Sequence, residues 1–181
     1  MNAFLRKTAK SGLFFAVGFL VLQAAPAAAA ESANSGTVTI GNERPVTFTD
    51  AYAFRAEDFS DNSKHVTLVI LSEAPMDKKA MTAALRKERQ KDAVDKYLMS
   101  KAFIRLKVEP DGKIEDYYLY VPPGSNLNVS SNKTKSEVKT NTAKRVEGRF
   151  SHHDTNSRGE WRKVDLRFAT DVADVGPPVK N

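Results

Sequence analysis

The stretch AFIRLKVE (102–109), Pro110-Asp111-Gly112, KIEDYYLYV (113–121) decides how this chain is read. Both runs place apolar residues at alternate positions, the period of a strand with one face buried. Between them, Pro presets the first turn position and Gly takes the left-handed one that opens a bulge. Pairing Glu109 with Lys113 sets a register in which Val108 faces Ile114 and Ile104 faces Tyr118, with Lys107 against Glu115 and Arg105 against Tyr117 on the opposite face. The same register leaves Asp116 on the apolar face, opposite Leu106. A buried unpaired carboxylate is costly, so Asp116 is either a functional acid or the mark of an edge or a local bulge.

A second hairpin is expected from Lys144–Phe150 and Trp161–Ala169. Opposite charges across a ladder stabilise and like charges do not, which favours Glu147 against Lys163, Arg145 against Asp165, Arg149 against Trp161, and Val146 against Val164. The nine residues HHDTNSRGE (152–160) then read as its solvated loop.

Outward from these hairpins the signals are mostly those of strands. Thr37–Ile40 and Arg44–Phe48 flank Gly41-Asn42, and Tyr52, Phe54 and Ala56 alternate. HVTLVIL (65–71) is nearly continuous in β-branched and aliphatic residues, as a central strand is. One helical segment is expected from about Pro75 to Met99, with Pro75 at a first helical position and Asp77 in the first turn. Its apolar stripes (Met81, Ala84, Leu85 and Val94, Tyr97, Leu98) are separated by the polar RKERQKD (86–92), so it is one helix that leaves the sheet in its middle or two short ones. The polar stretch 124–142 reads as a functional or mobile loop, or one hiding an edge strand such as Ser136–Thr140.

The fold class is therefore mainly β (α+β): an antiparallel sandwich-like or curved sheet with one helical segment packed on it. Its expected core is Val66, Leu68, Ile70, Ile104, Leu106, Val108, Ile114, Val146, Val164, Leu166 and Phe168.

The N-terminal 30 residues have the three parts of an export signal: a basic start (Arg6, Lys7, Lys10), an apolar run from Leu13 to Leu22, and the small-residue end APAAAA with Ala28 and Ala30 before the cut. Gln23 and Pro26 interrupt the run short of the roughly 20 apolar residues that span a bilayer. Domain organisation follows as a signal peptide over 1–30, a flexible lead-in over 31–36, a single β-rich domain over 37–173, and a disordered tail over 174–181. The signal holds three basic and no acidic residues, so of 28 Lys and Arg 25 remain against 22 Asp and Glu, a net charge near +3 rather than +6. That balance is ordinary and implies no nucleic-acid partner. The absence of cysteine excludes disulfides, thiolate metal ligands and a cysteine nucleophile.

No glycine-rich phosphate loop, nucleophile elbow or HExxH occurs, and EDFSDNS (57–63) lacks the Gly and Glu of a calcium loop. His152-His153-Asp154 is the wrong spacing for a metal on extended backbone. No cofactor and no metal site are expected. Basic and aromatic side chains do interleave on the polar sheet faces, which makes Arg105 with Tyr117, and Arg149 with Trp161, the candidate binding residues. The functional expectation is an exported, extracytoplasmic protein without a membrane span, a non-catalytic binding or interaction module of the cell envelope whose partner is an envelope protein or polysaccharide. The alternative is a small hydrolase acting on a glycan or other polymer around Asp116, Tyr118 and Tyr120.

Overall fold

A computed structural model describes residues 33–58, 61, 63–88, 90–98, 100–123, 125–155, 159 and 161–177. The expected export signal, residues 1–30, lies outside the described residues. The fold is mainly β: among the described residues ten strands form one curled open sheet, with two short helices packed on part of it.

One half of the sheet runs β2 (Val46–Phe48), β1 (Ser35–Ile40), β10 (Trp161–Ala173), β9 (Arg145–Thr155), β8 (Lys135–Asn141), all antiparallel. The other half runs β3 (Asp50–Glu57), β4 (His65–Ser72), β5 (Phe103–Val108), β6 (Asp116–Val121), β7 (Ser125–Ser130). The end of β10 joins them by pairing in parallel with β3, at Val172 opposite Ala53. Curling lays the inner faces of the two halves against each other over one core, in which Phe48, Val146, Phe150, Val164, Leu166 and Phe168 meet Val69, Leu71, Ile104, Leu106, Val108 and Leu119. Fully burying one such side chain contributes about 1.5–3 kcal/mol.

Strands β3 and β4 are buried on both faces. HVTLVIL is central, and only its opening His65 is exposed. Val66, Leu68 and Ile70 point away from the inner core with Tyr52 and Phe54, and helices α1 (Lys78–Leu85) and α2 (Gln90–Leu98) cover them through Met81, Leu85, Val94 and Leu98. All eleven residues expected in the core are buried, but they divide between these two layers. The helical segment is two helices. Asp77 is the N-cap of α1 rather than part of its first turn: its carboxylate accepts the Ala80 N–H at 2.9 Å.

Two expectations are corrected, the registers of the two hairpins. In the first hairpin the turn is as expected, with Glu109 N–H donating to the Lys113 carbonyl at 2.9 Å. Beyond it, however, Arg105 faces Tyr118 and Leu106 faces Tyr117. An extra residue between Lys113 and Tyr117 shifts the register by one and exchanges the two faces of the second strand. Tyr117 thereby turns into the core, and Asp116 leaves the apolar face. In the second hairpin Glu147 faces Ala169, Arg149 faces Arg167 and Arg145 faces Asp171, six residues from the expected register. The strands continue through the supposed loop as far as Thr155, giving eleven paired positions. The longer ladder outweighs surface charge pairs worth only a few tenths of a kcal/mol each. Finally, the stretch 124–142 contains the expected edge strand, as β8, and also β7, whose Val129 is buried. Asn34 Oδ1 accepts the Ala169 N–H at 2.9 Å, and Val175 is buried in the layer covered by the helices.

Candidate functional site

The helices cover β3 and β4 and leave the outer face of β5, β6 and β7 open. A cleft of about 390 Å³ lies there, lined by Asp58, Leu68, Arg105, Lys107, Asp116, Tyr118, Asn128 and Ser130 among others. Alternation along β5 carries Arg105 and Lys107 to this face, because Ile104, Leu106 and Val108 occupy the core face. The register shift before Tyr117 does the same for Asp116 and Tyr118. Ladder pairing then sets Asn128 opposite Tyr118 and Ser130 opposite Asp116.

Lys107 is the hub. Its ammonium lies 2.8 Å from Asp116 Oδ2, 3.1 Å from Glu109 Oε1 and 3.4 Å from Asp58 Oδ2, and its side chain is 18% exposed. Burial works against its charge, but hydrogen bonds to Asp116 and Glu109 hold its pKa well above the usual lysine range. Burial likewise pushes the Asp116 carboxyl up; hydrogen bonds from Lys107 and Ser130 outweigh it and hold the group below its ordinary range. Both are charged at neutral pH. Asp116 is thus poorly suited to give a proton to a leaving group, a role that requires a raised pKa. Beside this network the Arg105 guanidinium lies 5.3 Å from the centroid of the Tyr118 ring, which also packs on Phe103 at 5.7 Å. The cleft therefore offers an aromatic face topped by a cation, an amide, a hydroxyl and fixed charges.

The sequence-predicted residues are only partly brought together. Arg105 and Asp116 line this cleft. Tyr117 does not partner Arg105: it is buried in the core, edge-on to Phe150 at 5.5 Å and bonded to His152. Burial pushes its hydroxyl up to about 12. Arg149 and Trp161 share the outer face of the first half but are not opposed; Trp161 stands against Thr155. His152 and His153 are not in a solvated loop. They are strand residues, His152 pointing into the core and His153 outward to Asp165 Oδ1 at 3.1 Å. Sequence reasoning missed Lys107 as the centre of the cleft and also Asp58, Asn128 and Ser130. Of these, only the alternation of Arg105 and Lys107 was a readable signal.

Among the described residues, no group of three or more His, Asp or Glu side chains could hold a metal ion, and no helix is long and apolar enough to cross a membrane. No protein-family model, no curated protein and no solved structure matches this chain.

Proposed function

We propose that the chain is exported with removal of residues 1–30 and acts outside the cytoplasm as a non-catalytic binding or interaction module of the cell envelope, with the β5–β7 cleft as its ligand seat. The observation that carries this reading is the state of Lys107 and Asp116. They are locked on each other with pKa values driven apart, which holds charges in place for recognition and leaves Asp116 unable to cycle a proton near neutral pH. Tyr118 under Arg105, with Asn128 and Ser130 alongside, suits a polar ligand with one flat face, such as a sugar ring of an envelope polysaccharide.

The test is capture of envelope polysaccharides and proteins by the protein as recovered after export, whose intact mass should match a chain starting near Glu31. Specific capture that Tyr118→Ala abolishes, with the captured polymer unchanged in length, supports the proposal. A full-length membrane-bound species would overturn the export step.

One observation favours a second reading: a cleft does converge on Asp116, with the Asp58 carboxylate sharing the same lysine. A small hydrolase would shorten a captured glycan or other polymer, and Asp116→Asn would stop it. That result would replace the binding-only reading.

A further inference from the structure

Strands β2, β7 and β8 lie at the rims of the sheet, and the chain treats their free edges differently. β2 is three residues long. β8 carries Lys135 and Lys139 and a break in register between Val138 and Thr140. Shortness, lysines and bulges are devices by which natural sheets keep a further strand from adding to an edge. β7 has none of them. Its sequence SNLNVS holds no charge and no proline, runs against β6 in one unbroken register, and pairs with no other strand among the described residues. Such an edge is a template for strand addition.

The phase of the ladder fixes what this edge offers. Ser131 N–H donates to the Glu115 carbonyl at 3.1 Å, one position past the pair of Asp116 and Ser130. Bonded and non-bonded pairs alternate along an antiparallel ladder. Val129 and Leu127 therefore bond to β6, while Asn126, Asn128 and Ser130 turn their backbone N–H and C=O groups to the free edge. The side chains of these three are exposed on the outer face, opposite Tyr120, Tyr118 and Asp116. Leu127 and Val129 lie on the inner face, packed on the core.

We propose that β7 pairs antiparallel with β7 of a second copy about a twofold axis at Asn128, making one continuous sheet across the dimer. The occupant is a second copy because the strand is complementary to itself. Centred on Asn128, the pairing sets Asn126 against Ser130 of the copy and Asn128 against its own counterpart. All the outward N–H and C=O groups of these residues then find partners, about six backbone hydrogen bonds in all. Centring the axis on Leu127 instead leaves Ser130 beyond the end of the partner strand. On the inner face the Asn128-centred register sets Leu127 against Val129 of the copy, an aliphatic pair made twice. On the outer face carboxamides meet a carboxamide and a hydroxyl, and no charges are opposed. Asn128 and Ser130 also line the β5–β7 cleft, so the two clefts meet at the axis on one face of the dimer. One strand pair is a small contact, so the dimer is reversible. The pairing is independent of what the cleft binds.

The experiment is sedimentation equilibrium of the protein, as recovered after export, from about 1 µM to about 0.1 mM, a range that spans weak specific association. A reversible equilibrium between monomer and dimer is expected. Asn128→Asp sets two carboxylates against each other at the axis and should weaken the dimer at least about tenfold, less in high salt. Asn128→Pro removes an outward N–H that β6 does not use, so it should abolish the dimer and leave the circular dichroism unchanged. If proline disturbs the strand, the Asp variant carries the test alone. The chain has no cysteine, so Asn128→Cys reads the register directly. Bonded cross-strand Cα atoms lie about 5.5 Å apart, within disulfide reach. This variant should cross-link to a dimer on mild oxidation. Asn126→Cys, about 13 Å from its counterpart, should not, nor should Lys139→Cys on β8. A monomer throughout the range, which would leave the edge to a strand of another protein, would overturn the proposal. So would a dimer indifferent to the Asn128 variants, or cross-linking of Asn126→Cys or Lys139→Cys as fast as that of Asn128→Cys.

Discussion

The hydroxyl of Tyr117, on β6, lies 2.8 Å from Nδ1 of His152, on β9, a buried side-chain hydrogen bond between the two halves of the sheet. The other ring nitrogen, Nε2, is buried without a hydrogen-bond partner among the described residues; Asp154 Oδ2 is 4.0 Å away and faced by Arg162 at 3.9 Å, while Lys133 holds the Oδ1 of the same carboxylate at 2.9 Å. Burial, more than the nearby cations, pulls the His152 pKa below its ordinary value despite the Asp154 charge. The folded state therefore resists the proton that the unfolded chain accepts near pH 6.5. Stability should be full above that pH, fall as the pH drops below it, and level off beneath the folded-state pKa. Thermal melts from pH 8 to 5 should show this slope, and His152→Gln should flatten it. A slope unchanged in that variant would place the titration elsewhere.

Removing only the phenolic oxygen leaves His152 Nδ1 buried and unpaired. Tyr117→Phe should therefore destabilise by about 1–3 kcal/mol in denaturant titrations. A neutral effect would mean that the imidazole finds another partner.

In the cleft, Lys107→Met leaves Asp58, Glu109 and Asp116 facing one another without their shared cation. Breaking a fully buried pair costs about 3–5 kcal/mol. Water reaches Asp116, whose side chain is 37% exposed, so a loss of about 2 kcal/mol is expected. Adding Asp116→Asn should recover part of it, and strictly additive losses would refute the network. The Asp116 share of this stability, with its pKa depressed, is complete above about pH 4 and is lost as the pH falls towards the folded-state value.

The register of the second hairpin has its own test. Arg145 Nη1 lies 3.1 Å from Asp171 Oδ1. Reversing both charges should recover part of what either single reversal loses, by well under about 1 kcal/mol and less in high salt, since the pair is exposed. Glu147 and Lys163, which do not face each other, should show no coupling.

Gly148 is a packing requirement. A Cβ there would sit 2.7 Å from the Glu137 carbonyl oxygen and 3.0 Å from the Phe168 ring, where β8 shifts register between Val138 and Thr140. Gly148→Ala should cost about 1–3 kcal/mol by chemical denaturation. A variant as stable as the parent would show that β8 moves away freely.

Strand existence and burial were legible because both follow from alternation. Register was not, for reasons that differ between the hairpins. Ile114 and Tyr117 are three residues apart yet both buried, a break in the period of two that marks the extra residue near Glu115-Asp116. That break was visible as the anomaly of Asp116 on an apolar face, and it resolves by moving the carboxylate to Lys107. In β9 the alternation Val146, Gly148, Phe150, His152 continues through a polar-looking stretch. Histidine and glycine disguise it, and surface charge pairs worth a few tenths of a kcal/mol each point to a register that ladder length overrides. The cleft itself was hidden because it joins side chains from four strands and the loop after β3, and their assembly depends on that one-residue shift.

Strand β10 is paired with β9, β1 and β3, and the last two precede it by about a hundred residues or more. Ser35–Ile40 has only the three-residue β2 and β10 as neighbours, so it waits for the segment 162–167 before it is anchored. The early half of the chain can collapse around β3, β4 and the helices, but neither closure of the curl nor the last seat of β1 can form until the far partner arrives. Such long-range pairings slow folding because the chain must close large loops first. A newly made chain of this fold therefore passes through an interval in which β1 and β3 both present unpaired edges. That interval, more than the finished structure, is when the protein is exposed to aggregation and proteolysis.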